Sequence, residues 1–222
     1  MRGIVFTLTR RPRPQKRINS RNFTSFSAFM KRYGTAVVFT FIYACGLLMG
    51  SLSAKNADKT LLDGLNFLFA TNLDARMGQP AFSAFATSFA SNFLFLLYVF
   101  LCGLSPWGMA AVYAAPAFKG FGVGLSAGYL FVTYGFKGVG FYLLVILTGT
   151  FIFSFALVIE CIQAHYLSCK IAKSVFGSGE NMQPVSTYVH GFLLRSLYML
   201  LLTAVAALAD TLLWTGFSGL FF

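Results

Sequence analysis

Charge is scarce in this chain: Asp, Glu, Lys and Arg make up 10% of its 222 residues, and Asp and Glu together number 6. A soluble domain draws about 25% of its residues from these four types, so a water-soluble surface is excluded. Histidine occurs twice and cysteine four times. Cys45 and Cys102 fall inside apolar runs while Cys161 and Cys169 bracket the end of a later helix, so no disulfide framework is legible. Also missing are the GxSxG, HExxH, P-loop and paired-carboxylate patterns that carry hydrolytic, metal or phosphate chemistry. The chain therefore reads as a non-enzyme without a cofactor. What it has instead is apolar bulk: 57% hydrophobic residues, with 27 Phe.

Apolar runs of that length predict an all-α fold, a polytopic transmembrane bundle of about five spans, since a hydrocarbon core about 30 Å thick takes ~20 residues of helix. Residues 1–32 form a basic arm, rich in Arg, Ser and Pro, that is too polar and too like-charged to fold alone. Residues 33–222 form the membrane domain, with spans at about 33–52, 89–115, 118–134, 141–165 and 191–217. Between the first two, residues 53–88 make an outer loop in which Leu61, Leu62, Leu65, Leu68 and Phe69 share a face of a short surface helix. Gly103, Ser105 and Pro106 predict a kink or a broken helix within the second span. Lys119 is read as the charge in the turn between spans two and three. Gly135, Lys137, Gly138 and Gly140 form the next turn, and residues 177–184 the loop before the last span.

Nine of the 17 Lys and Arg precede Tyr33, where there is no acid. By the positive-inside rule Arg10, Arg11, Arg13, Lys16 and Arg17 hold the N-terminus in the cytoplasm and Lys119 adds to that side, which puts the C-terminus outside. Two other readings of the arm stand beside this one. A basic stretch, an apolar run and Ser51, Ser53 and Ala54 also describe a cleavable signal peptide, and an acid-free, Arg- and Ser-rich arm also describes an organelle transit peptide. For a partner, the arm's charge fits an anionic lipid surface, and without interleaved aromatics it does not read as a nucleic-acid site.

Polar residues within the spans are the candidates for chemistry. Asp210 lies near the outer end of the last span, with Lys137 as its expected partner; a lone carboxylate does not make an ion path. Cys161, His165 and Cys169 recur every four residues on one face of the fourth helix and are the one weak metal candidate; Glu160 and Gln163 beside them read as the interfacial end of that helix. Asn92, placed near the outer start of the second span, and Gly103 read as helix-packing positions. So do Gly120, Gly124 and Gly128, four apart on one face, whether they pack within the bundle or between copies in a homo-oligomer.

The order SNFLFLLYVFLCGLS with Asn92 and Gly103, then AAPAFKGFGVGLSAGYL with Lys119, Gly120, Gly124 and Gly128, then YGFKGVGF, resembles the stage II sporulation protein M family of bacterial membrane proteins. Asp210 fits the acid near the end of that family's last span. The fourth span departs, reading LTGTFIFSF from Leu147 to Phe155 where relatives carry a proline with a polar residue. The resemblance implies a non-enzymatic membrane scaffold of sporulation engulfment. It would recruit or anchor the stage II sporulation proteins D and P, or similar peptidoglycan hydrolases, at the septum and the engulfing mother-cell membrane. The alternative is a small-solute transporter or channel of the inner membrane, whose passage would lie where the Gly103, Ser105, Pro106 break faces Thr148, Gly149 and Thr150.

Overall fold

A computed structural model describes residues 21–54, 80–176 and 185–221, with side chains for nearly all of them from Tyr33 to Gly216. The basic cluster Arg10–Arg17 and the expected surface helix at 61–69 lie outside the described residues. The chain divides into two units, Met1–Gly34 and Thr35–Phe222. The described part of the first is helical, and the packing described below is that of the second.

The described elements are helical throughout: α1 (Arg21–Ser53), α2 (Ala81–Leu104), the short α3 (Gly108–Ala111), α4 (Ala114–Phe141), a π-helical turn (Tyr142–Ile146), α5 (Leu147–Phe176) and α6 (Val185–Phe221). Four stretches are long and apolar enough to cross a membrane: Tyr33–Ser53, Ala81–Leu104, Tyr142–Phe176 and Ser186–Gly216. Helices suit the bilayer because each satisfies its own backbone groups there. The fifth long helix, α4, falls short of the four in apolarity because Lys119, Lys137 and its glycines dilute the run.

The second span differs from its expected course. It begins at Ala81, about two turns early, and ends at Leu104 rather than continuing to 115. Ser105 takes an extended backbone and its N–H bonds back to the Cys102 carbonyl, so of the two outcomes expected at Pro106 the helix is broken, not kinked, and a connecting turn begins there. The physical reason is that proline can neither donate to the ladder nor tolerate a helical residue before it. Further on, Gly135 has φ +60° and ψ −139°, a break inside α4 that turns the chain toward α5.

The interior is built where α2, α5 and α6 meet. Phe95, Leu96, Val99, Phe153, Leu157 and Ala206 are among the buried residues there, joined by Phe39 of α1. A smaller cluster closes the other end, with Trp214 edge-on to Phe141 at 5.3 Å. Large apolar side chains also cover the outside, among them Phe41, Leu52, Phe151, Phe155 and Leu212. Water would not tolerate such a surface, whereas lipid solvates it.

Because lipid supplies no hydrophobic drive between helices, close backbone packing must hold them together. The second half of α1 lies on α4 in this way. A Cβ on Gly46 or Gly50 would collide with the backbone of Ala117 or Phe121. In return, one on Gly120 would meet Tyr43, and one on Gly124 would meet Leu47. Gly128 stands against Ser51 and Ala54, where an added Cβ would come within 2.6 Å of the Ala54 Cβ. The pairs ascend together in both helices, so α1 and α4 run parallel.

Candidate functional site

The bundle's interior polar groups fall in order along its axis, and the helix pairs set that order. On α5, Ser168 Oγ donates to the Ser105 carbonyl at 2.6 Å, level with the end of α2. Two turns deeper, Glu160 is 0% exposed and accepts a hydrogen bond from Ser196 of α6, while its other oxygen, Oε2, and Gln163 Oε1 are buried without a hydrogen-bond partner. The expected interfacial position of Glu160 and Gln163 is therefore corrected. α5 runs on to Phe176, so Glu160 lies well inside the helix.

At the centre stands Lys119, 7% exposed. Its Nζ donates to Asn92 Oδ1 at 2.8 Å and lies 5.2 Å and 4.9 Å from the ring centroids of Phe95 and Phe153. Asn92 is at the midpoint of the 24-residue α2, not near its start. Lys119 lies in the second turn of α4, not in a connecting turn. Phenyl faces, an amide oxygen and a neighbouring carboxylate replace the water that an ammonium would otherwise demand.

That carboxylate is Asp210 of α6. It acts electrostatically on Lys119, and its Oδ2 accepts from Ser88 Oγ at 2.9 Å. Gly149 makes room for it, since a Cβ there would lie 2.7 Å from the Asp210 Cβ. Lys137 is exposed near the end of α4, and Asp210 is grouped with Ser88 and Lys119. Eleven residues of α5 separate the level of Gly149 from that of Glu160, about 16 Å along the axis. One cation and two carboxyl groups thus occupy successive depths of the bundle.

Other candidates are redistributed. Gly103 abuts Ala164 and Phe192, not residues 148–150, and the break that follows it lies at the end of α2. Cys161 is fully buried in the core, whereas His165 and Cys169 are half-buried. His165 and Cys169 do stay together, Sγ to Nε2 at 3.7 Å, and Met109 of α3 joins them. Among the described residues no three of His, Cys, Asp and Glu gather as a metal site would require.

Sequence reasoning passed over Gly46 and Gly50, although their four-residue spacing is visible, and it underrated Glu160. Ser88, Ser196 and Met109 carry no signal of their own, because each takes its role from a residue at least 36 positions away. The model of the stage II sporulation protein M family matches residues 36–213 of the chain. No curated protein and no solved structure matches it.

Proposed function

Since the chain belongs to the stage II sporulation protein M family and is a sporulation-related membrane protein, we propose that it is a non-enzymatic scaffold of engulfment. It anchors peptidoglycan-degrading partners, the stage II sporulation proteins D and P or similar hydrolases, at the septum. The supporting observation is that the described residues on either side of the segment 55–79 are packed into the bundle. Ala54, at the end of α1, is buried against Gly128, and Ala84, in the first turn of α2, is 1% exposed. With the N-terminus in the cytoplasm, that segment faces the side where septal peptidoglycan lies.

Photo-crosslinkers placed singly along Lys55–Pro80 test this in sporulating cells. Capture of the hydrolases, lost when the segment is replaced by a Gly/Ser linker, is the expected result. Absence of any hydrolase adduct at normal protein levels would contradict it.

A second reading, movement of a small solute or ion, is favoured by the succession of the half-buried Asp210 and the buried Lys119 and Glu160, since ionisable groups at depth mark ion pathways in membrane proteins. Flux into liposomes that is abolished by Lys119→Met and Glu160→Gln would support it over the scaffold.

A further inference from the structure

We propose that Met109, His165 and Cys169 form a binding site for a soft monovalent metal ion, Cu(I). Three side chains from two elements converge here. Cys169 Sγ lies 3.9 Å from Met109 Sδ and 3.7 Å from His165 Nε2. With bonds of about 2.3 Å to sulfur and about 2.0 Å to imidazole nitrogen, a metal at the centre of a trigonal plane would separate sulfur from sulfur by about 4.0 Å and sulfur from nitrogen by about 3.7 Å. Both observed edges have those lengths.

The imidazole is set up as a ligand. His165 Nδ1 lies 3.2 Å from the Met109 carbonyl oxygen. A carbonyl can only accept, so Nδ1 carries the proton and Nε2 turns its lone pair toward Cys169. Fixing a ligating histidine through its other nitrogen is the usual device of metal sites. The ring is also walled in: Tyr113 meets it edge-on at 5.5 Å and Phe39 at 6.2 Å, and those two stack on each other at 4.8 Å. Its orientation is thereby held from α1 and the turn before α4 as well as from α3.

The donor set selects the ion. Thiolate and thioether are soft ligands that suit Cu(I), and a three-coordinate set containing a thioether suits zinc poorly, since structural zinc takes four ligands from Cys, His and carboxylates. Binding replaces the thiol proton of Cys169, which leaves to solvent, and no electron is transferred. Met109 is 42% exposed and Cys169 half-buried, so the ion can enter from the end of the bundle. Cys161, two helical turns or about 12 Å along α5 from Cys169, is not part of the site.

The purified full chain in detergent, reduced and free of oxygen, is titrated with Cu(I) in competition with bicinchoninate. The expected result is one equivalent held against the chelator, lost in Cys169→Ser and His165→Asn and unchanged in Cys161→Ser and Cys45→Ser. Met109→Leu, which keeps the side chain's size, weakens binding by at least the roughly 10-fold that even loss of an outer partner costs. X-ray absorption of the loaded wild-type chain, which needs no variant, should show two sulfurs and one nitrogen around copper. Equal retention by Met109→Leu and wild type, or a shell of cysteine sulfur alone, would overturn the proposal.

Discussion

Lys119 Nζ donates to Asn92 Oδ1 across 2.8 Å at the midpoint of α2, between the rings of Phe95 and Phe153 and within the field of Asp210. An ammonium at that depth persists only because each contact replaces part of its lost hydration. Removing one member of a buried charge group leaves the rest uncompensated.

Lys119→Met should therefore lower unfolding free energy by about 3 kcal/mol. Asp210→Asn added to it should cost less than it does alone, with a coupling of about 1–3 kcal/mol. Denaturant titration of the four proteins of this cycle in micelles measures both quantities, and strict additivity would show that the two groups do not share a charge balance.

The α1–α4 seam gives a contrast between glycines. At Gly124 an added methyl collides with the Leu47 backbone, and at Gly191 it meets nothing within 4 Å. Gly124→Ala should destabilise by about 1–3 kcal/mol through overpacking. Gly191→Ala should be neutral or stabilise by up to about 1 kcal/mol, because alanine favours the helix. Thermal unfolding of the pair separates close packing from composition.

Gly135 isolates a backbone effect. Its φ of +60° with ψ of −139° belongs to glycine, yet an added Cβ has open space around it. Gly135→Ala should cost about 1–3 kcal/mol from dihedral strain alone, read from the melting temperature against Gly191→Ala.

Glu160 and Ser196 form an asymmetric pair. Ser196→Ala removes the hydrogen bond given to Oε1 and leaves a carboxyl whose Oε2 is already unpartnered. Its cost should be about 1–3 kcal/mol. Glu160→Gln keeps an acceptor for Ser196 and sheds the burden of a buried carboxylate, so it should cost less. Chemical denaturation that ranked them the other way would contradict this role for Ser196.

Helical class was legible from apolar run length, and a break at Gly135 from its glycines, because both are local properties of the chain, though Lys137, Gly138 and Gly140 beyond that break are helical and form no turn. Depth was not. Lys119 beside Gly120 has the local character of a turn, and only the arrival of Phe153 and Asp210 from distant helices makes it an interior residue. Asn92 moved to mid-helix for a related reason: α2 extends back to Ala81 through AFSAFATS, whose small polar residues read as loop until their helix is packed against α6. Met109 was invisible because its approach to His165 spans 56 positions.

The scaffold account is tested most directly by the position of the peptidoglycan hydrolases in sporulating cells that carry either the wild-type chain or one with residues 55–79 replaced by a Gly/Ser linker. Fluorescently tagged hydrolases should gather at the septum with the wild-type chain and disperse with the replacement, both chains being present in the membrane at equal amounts. Hydrolases that remain at the septum with the replaced segment would contradict the account.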